Sequence, residues 1–187
     1  MRRVILVHGW DGYPEEGWFP TFKQEMEAQG FVVIVPVMEP ADAPQQEKWV
    51  PQLAGVVGTP DEDTYLVGHS AGCITILRYL EGLPTGTKVG GVVLVAGFTD
   101  NLGFEDLKNY FTTPINWDRI VTHADGFVAI HSTNDKYVPL SHADTFKRFL
   151  GAKVVILKDR GHFAGSDGTT ELPEARDAVL KLAGLAG

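Results

Sequence analysis

Short apolar runs recur along the chain and alternate with longer segments in which apolar and polar residues mix. The runs are rich in valine and isoleucine and nearly continuous in apolar residues, which is typical of strands buried on both faces of a parallel sheet. They predict six mostly parallel strands, at residues 4–7, 31–37, 64–67, 91–96, 127–132 and 154–157.

The segments between these runs have the period of amphipathic helices. In the first of them Phe19, Phe22 and Met26 recur at spacings of three and four, and Gly30 follows as a helix stop. Similar patterns predict helices at residues 19–29, 47–57, 71–83, 140–150 and 174–185. The alternation of strand and helix predicts an open α/β sheet with right-handed crossovers. The irregular stretch 97–126 is too short for a large cap domain and predicts one or two short helices over a pocket.

Composition and charge narrow the classes of function. Hydrophobic residues make up 44% of the chain and charged residues 21%, which predicts one globular domain over residues 1–187. The formal net charge is −8 and no basic run occurs, so we expect neither nucleic acid nor membrane surfaces as partners. The single cysteine, Cys73, rules out an internal disulfide. No apolar run reaches the roughly 20 residues of a membrane span, so we expect a soluble cytoplasmic protein. The sequence does not indicate its oligomeric state.

The segment Gly68-His69-Ser70-Ala71-Gly72 is a G-x-S-x-G motif that lies between an apolar run and a helical pattern. In this strand–turn–helix context the serine sits on a sharp turn, with its hydroxyl above the sheet edge at a helix N-terminus that favours negative charge. The turn is so tight that a side chain at either glycine would collide with neighbouring backbone. Ser70 is therefore the predicted nucleophile.

A serine nucleophile needs a base, and with this motif the chain order is Ser, then Asp or Glu, then His. His162 follows the last predicted strand, at the edge where ligands lie in open α/β sheets, and is the predicted base. The other histidines after Ser70 fit less well. His131 is expected in the core of a strand, His142 is expected to be solvated on a helix, and His123 falls in the irregular stretch.

The acid that orients the base is expected after the penultimate strand, where Asp135 stands. Asp100, after the strand before it, is the second choice. A carboxylate in a loop is also a common turn-former, and that alternative stays open. Asp159 and Asp167 lie beside His162 and are expected to solvate or cap their loops.

An oxyanion hole needs two fixed N–H donors. One is expected at Ala71, the residue after the nucleophile, and the other in the loop after the first strand, where Gly9 lets the Trp10 N–H come close. We expect residues of these loops and of the irregular stretch to form a wall that binds the substrate. Its predicted members are Gly9, His69, Phe98, Phe111 and Trp117. Aromatic clusters are also typical of ordinary core, and His8 is expected to be structural.

Several of these segments together resemble the α/β-hydrolase superfamily: His8-Gly9, the G-x-S-x-G segment, Asp135 with Val138-Pro139 behind it, and Gly161-His162-Phe163. The small size and the missing cap narrow the resemblance to compact serine hydrolases similar to the retinoblastoma-binding protein nine and YdeN-type proteins. The resemblance covers nearly the whole chain. It implies a Ser70–Asp135–His162 triad, a single-domain α/β-hydrolase fold, and neither metal nor organic cofactor.

The leading interpretation is a serine hydrolase that cleaves small-molecule carboxylic esters with short acyl groups through an acyl-enzyme intermediate. Two alternatives stay open. An amidase, peptidase or thioesterase would use the same attacking residues. A non-catalytic, protein-binding member of the fold is the other, because a fold does not fix a function.

Overall fold

A single parallel sheet organises the part of the chain that the computed structural model describes, residues 1–185. Its strands are β1 (Arg3–Val7), β2 (Val32–Ile34), β3 (Thr64–His69), β4 (Gly91–Val95), β5 (Phe127–Ser132) and β6 (Lys153–Leu157). They lie in the order β2-β1-β3-β4-β5-β6, and every neighbouring pair is parallel. The α/β fold class and the six predicted strands are confirmed.

Helices cover both faces of the sheet. They are α1 (Phe19–Ala28), α2 (Gln46–Val57), α3 (Ala71–Glu81), α4 (Trp117–Ile120), α5 (Ser141–Leu150) and α6 (Pro173–Leu182). The last predicted helix was too long at its C-terminal end. Gly184 takes a φ of 68° and the Leu185 N–H donates back to the Leu180 carbonyl, which ends the helix. None of the helices within residues 1–185 combines the length and apolar character needed to cross a bilayer.

Alternate residues of each strand enter two different cores. In β1, Ile5 and Val7 pack in the core beneath α2, α3 and α5, whereas Val4 and Leu6 pack in the core beneath α1 and α6. The central strands are buried along their whole length, as their continuous apolar runs indicate. These two cores hold the carboxyl ends of the strands in place, and the candidate site lies at that edge.

The second strand is shorter than the predicted run 31–37. β2 is the edge strand and pairs with β1 alone. Beyond it Pro36 has no N–H to give to a ladder, and the Met38 N–H donates to Nε2 of His8 at 2.9 Å instead. The apolar run therefore continues into a loop that packs against the β1 end rather than extending the sheet.

The irregular stretch 97–126 forms three short helical segments where one or two were predicted, and a buried arginine ties it to α3. Its turns are α4 and the 3₁₀ segments Glu105–Phe111 and Val121–His123. Arg78 is 4% exposed, and its guanidinium donates to the carbonyls of Tyr110 and Thr113 at 2.7 and 2.6 Å. The Tyr110 hydroxyl also lies 2.9 Å from Thr75 Oγ1. This stretch is thus fastened to the helix that follows Ser70.

The start of α3 lies directly against the end of β1. A Cβ at Gly72 would overlap the carbonyl oxygen of Val7, and a Cβ at Gly68 would lie 2.8 Å from Cα of Cys73. Both positions therefore require glycine for lack of space, as the sequence predicts.

Replacing Gly72 with alanine should lower the free energy of unfolding by about 2 kcal/mol or more, because backbone on both sides must move to admit the methyl group. The matched control is Gly55→Ala in α2, where a Cβ meets nothing within 4 Å. That change should raise stability by about 0.5–1 kcal/mol, because alanine favours helix over glycine. Urea denaturation measures both variants. A Gly72→Ala protein as stable as wild type would contradict the close approach.

Candidate active site

Ser70 stands on the turn that joins β3 to α3. The strand ends at His69 and the helix begins at Ala71, so the turn consists of one residue. Its φ of 53° lies in the left-handed region that a residue with a Cβ rarely adopts. Such strain persists only where the surroundings enforce it. Here Gly68 and Gly72 have no side chains, so α3 packs closely against the strands and enforces this conformation of Ser70. The serine hydroxyl is thereby held at the sheet edge.

Ser70, His162 and Asp135 form a hydrogen-bonded series. Nδ1 of His162 lies 2.8 Å from Oδ2 of Asp135, and Nε2 lies 2.9 Å from Oγ of Ser70. A carboxylate only accepts, so the Nδ1–H of His162 donates to it and leaves Nε2 free to accept the serine proton. Three residues distant in the sequence thus meet, with their donors and acceptors in the order that removal of the serine proton requires.

The loop after β5 holds one oxygen of the Asp135 carboxylate, and His162 holds the other. Oδ1 accepts from the N–H groups of Tyr137 and Val138 at 2.8 and 3.0 Å, and the side chain is 1% exposed. Burial alone would raise the pKa of Asp135. The hydrogen bond and charge of His162, with the two backbone N–H groups, outweigh burial and hold the pKa below its ordinary value. The group is therefore an anion at neutral pH and can stabilise a protonated imidazole.

The backbone of His162 is held from both sides. Its N–H donates to Oδ2 of Asp167 at 2.8 Å, and its carbonyl accepts from Nε2 of His69 at 2.8 Å. Asp167 also accepts from the Ala164 N–H at 3.3 Å, so it caps this loop, as predicted. The contacts of Asp167 and His69 with the His162 backbone, here called the His162 clamp, fix the imidazole even though it lies in a loop beyond the last strand.

His69 is a buried neutral histidine. Nε2 carries the proton that it donates, and Nδ1 has no hydrogen-bond partner among residues 1–185. Burial, followed by repulsion from His162, lowers the pKa of His69 to about 3. A second positive charge therefore does not form beside His162 at neutral pH.

The other candidate bases and acids lie elsewhere. His131 is buried in β5, and Nε2 lies 3.0 Å from the Gly97 carbonyl. The expectation that His142 is solvated is wrong: it is 5% exposed, and Nδ1 accepts from the Thr99 N–H because α5 turns it inward. Asp100 lies 3.9 Å from His142 and accepts from the Leu102 N–H. It is Asp135, and not Asp100, that contacts His162.

His8 and His123 also have structural partners. Nε2 of His8 accepts from Met38, Nδ1 donates to the Gly9 carbonyl, and the ring is fully buried. Burial lowers the pKa of His8. His123 is buried in a 3₁₀ turn with Nδ1 2.7 Å from the Thr87 carbonyl. Over residues 1–185, no three histidine, cysteine or acidic side chains group closely enough to hold a metal ion.

A cleft of about 570 Å³ opens above Ser70. Of the predicted site residues, Gly9, Trp10, His69, Ala71 and Phe98 line it. Gly9 lies so close that a Cβ on it would be 2.9 Å from Cβ of Ser70. The loop after β1 and the start of α3 thus face the same space, as the predicted oxyanion donors Trp10 and Ala71 require.

Phe111 and Trp117 do not line the cleft, and their prediction as substrate-binding residues is corrected. Phe111 packs behind Phe98 at a ring-centroid distance of 6.3 Å. Trp117 stacks on Phe149 of α5 at 5.4 Å, so its ring is used in holding α4 to α5. Both belong to the packing of the core, the alternative that the aromatic pattern had left open.

Several lining residues were missed by the sequence reasoning. They are Asp11, Tyr13, Glu16, Leu102, Phe104, Leu107, Tyr137, Ala164, Gly165 and Ser166. Tyr137 follows Asp135 by two residues, and that position was a usable signal. Its ring lies edge-on to His162 at 5.1 Å. The others lie in loops and short 3₁₀ turns without the periodicity of a helix or strand, and only the folded chain shows which of them face inward.

A parallel sheet that presents a serine on a strand–turn–helix, with histidine and aspartate hydrogen-bonded behind it, has the architecture of a serine-dependent α/β hydrolase. A family model described as "Serine hydrolase" matches residues 4–181. The chain therefore belongs to the serine hydrolase family.

Similar proteins agree with this membership. YdeN of Bacillus subtilis (strain 168) is 31% identical over 179 residues, which cover 95% of this chain and 94% of YdeN. The serine hydrolase RBBP9 of Rattus norvegicus is 27% identical over 165 residues, which cover 87% of this chain and 82% of RBBP9. The crystal structure of the B. subtilis ydeN gene product matches with a TM-score of 0.94 and 30% identity, over 98% of this chain and 100% of that one. The resemblance stated from the sequence is confirmed.

The state of His69 predicts how stability depends on pH. The folded protein keeps this residue neutral down to a pKa of about 3, whereas an ordinary histidine has a pKa of 6.5. Between these values the unfolded chain binds the extra proton, so stability falls as the pH is lowered. The free energy of unfolding is measured in urea as a function of pH for wild type and His69→Gln. Between about pH 4 and 6, its slope against pH should be smaller in the variant by about 1.4 kcal/mol per pH unit.

Glutamine keeps an N–H donor for the His162 carbonyl and removes the titration. The slope decides this test, whatever the change in absolute stability. Parallel slopes for the variant and wild type would contradict the assignment of a neutral, buried His69.

Proposed function

We propose that this serine hydrolase cleaves carboxylic esters with short acyl groups through a covalent acyl-enzyme, with Ser70, His162 and Asp135 as its catalytic triad. The observation that carries the proposal is the hydrogen-bonded series from Ser70 Oγ through His162 to Asp135, at 2.9 and 2.8 Å, in the wall of a cleft. A serine that only packs in a fold has no need of a base and an anion aligned behind it.

The first half of the reaction forms the acyl-enzyme. His162 Nε2 takes the Ser70 proton as Oγ attacks the ester carbonyl, and the buried Asp135 anion stabilises the imidazolium. The N–H groups of Trp10 and Ala71 receive the oxyanion, each lowering the barrier by about 3 kcal/mol in measured cases of donor removal. The tetrahedral intermediate then collapses, and its alcohol leaves with the proton from His162.

The second half releases the acid. Water in the cleft gives a proton to His162 and attacks the acyl carbonyl, and the acid departs as the proton returns to Ser70. Every proton passes through Nε2 of His162, and the contacts from His69 and Asp167 hold the backbone of that residue in place. The loop of His162 therefore needs no rearrangement between the halves.

The apolar part of the cleft supports a short apolar acyl group. Phe98, Leu102 and Leu107 line it on the side that follows β4. A volume of about 570 Å³ is in the range of small-molecule sites. The substrate we propose is accordingly a small-molecule ester, and the cytoplasmic location expected from the sequence belongs to the same proposal.

The nucleophile is tested with a fluorophosphonate probe and with p-nitrophenyl acetate. We expect covalent labelling of wild type, with the adduct on Ser70 by mass spectrometry, and turnover of the ester. Ser70→Ala should lose both, because among residues 1–185 no other hydroxyl is paired with His162. An aminoacyl amide and an acyl thioester serve as comparison substrates. A folded wild-type protein that takes no label, or that turns over the amide or thioester faster than the ester, would contradict the proposal.

The orienting acid is tested by a matched pair of variants. Asp135→Asn should lower kcat by about 10⁴-fold, as in other triads, because the amide no longer holds the productive tautomer of His162. Asp100→Asn should leave kcat within about twofold of wild type, because Asp100 contacts His142 and the Leu102 N–H. Steady-state ester hydrolysis measures both. Equal losses in the two variants would be inconsistent with this assignment.

A further inference from the structure

The cleft has two unlike walls on opposite sides of Ser70. β3, which carries Ser70, lies between β1 and β4 in the sheet. The loop after β4 supplies the apolar wall of Phe98, Leu102 and Leu107, and the loop after β1 supplies a polar wall that includes Glu16. The two parts of a bound ester therefore meet different surroundings.

The leaving alcohol belongs on the polar side. The loop of His162 crosses to the β1 side, where the Gly165 N–H donates to Oε1 of Glu16 at 3.4 Å. Since His162 must protonate the departing oxygen, the alcohol lies toward this loop and the acyl group lies toward the apolar wall. Glu16 is thus next to the space that the alcohol occupies.

The charged side chains that line the cleft are all acids apart from the histidines. Asp11 and Glu16 line it, and across residues 1–185 no lysine or arginine does. Of the basic residues that flank the site in sequence, Arg160 donates to the Glu171 carbonyl, and Lys136 Nζ lies 4.9 Å over the ring of Tyr137 at the cleft mouth. The side chains that line the cleft therefore carry net negative charge, which attracts cations and repels anions.

Exposed aromatic rings stand at the mouth of the same cleft. Tyr13, Tyr137 and Phe104 are 53%, 44% and 40% exposed, although each lines the cleft. Trp10 lies edge-on to Phe104 at 6.0 Å. Aromatic faces combined with carboxylates form the surroundings in which proteins bind alkylammonium groups. This feature is independent of the acidic lining and favours the same ligand.

We propose that the cleft selects esters by the charge of the alcohol: it favours an alcohol that carries an alkylammonium group and disfavours one that carries a carboxylate or phosphate. Asp11 and Glu16 are the residues that set this preference, with the aromatic mouth as a second contact. The proposal rests on the proposed esterase function and adds the substrate class to it.

The test uses three butyrate esters of similar size. The alcohols are choline, its neutral isostere 3,3-dimethylbutanol, and 4-hydroxybutyrate as the anion. At low ionic strength we expect kcat/KM for the choline ester to exceed that for the neutral ester by about threefold to tenfold, and the anionic ester to be slower than the neutral one by a similar factor. Both ratios should approach one as salt is added, because the charges are near solvent.

The double variant Asp11→Asn with Glu16→Gln should bring both ratios close to one. The control is Glu15→Gln, which removes one negative charge from the same loop at an exposed residue that does not line the cleft, and it should keep the wild-type ratios. Equal rates for the three esters, faster turnover of the anionic one, or a choline preference that survives in the double variant would each overturn the inference.

Failure of the proposed function gives a different result. Hydrolysis of the neutral ester, lost in Ser70→Ala, tests the esterase activity without reference to charge. If no ester is turned over, binding of choline and of 3,3-dimethylbutanol to the same protein, followed by ligand-observed NMR, still decides the inference. Choline should bind more tightly to wild type than to the double variant, and equal binding of the two alcohols would overturn the proposal.

Discussion

The close approach of α3 to the end of β1 is the constraint on which the site depends. Gly72 lies against the Val7 carbonyl with no room for a side chain. The same approach places Gly9 against Ser70 and holds the serine at a φ of 53°. Strain of this kind costs about 1–3 kcal/mol, and the burial of α3 from Ala71 to Leu80 offsets it. The position of Ser70 and the packing of the core are thus one arrangement.

Much of this arrangement can be predicted from the sequence because its signals are local. The G-x-S-x-G segment specifies a one-residue turn, and continuous apolar runs specify strands buried on both faces. The chain order of Ser70, Asp135 and His162 then follows from where parallel strands end. Each of these inferences depends on neighbours in sequence or on the direction of strands. The structure brings the three side chains together accordingly.

Other features depend on partners that are distant in sequence, and there the predictions were wrong. The spacing of Phe111 and Trp117 cannot show that their rings pack on Phe98 and Phe149 rather than in the cleft. The period of α5 does not show that His142 faces Thr99. The sequence predicts that Asp167 caps its loop, but it does not predict that Asp167 and His69, at the end of β3, hold the backbone of His162, because neither residue carries a pattern that indicates which backbone group it meets.

The buried Arg78 has a consequence for how substrates reach Ser70. Its guanidinium joins the wall that follows β4 to α3, the helix that follows Ser70, through carbonyls of Tyr110 and Thr113. Swinging that wall away would leave the buried guanidinium with Glu81 of its own helix alone and would break its hydrogen bonds to these carbonyls, at a cost of about 1.5–3 kcal/mol for each bond. The wall that follows β4 is therefore a rigid surface of the cleft, and a ligand must fit the space that this wall leaves.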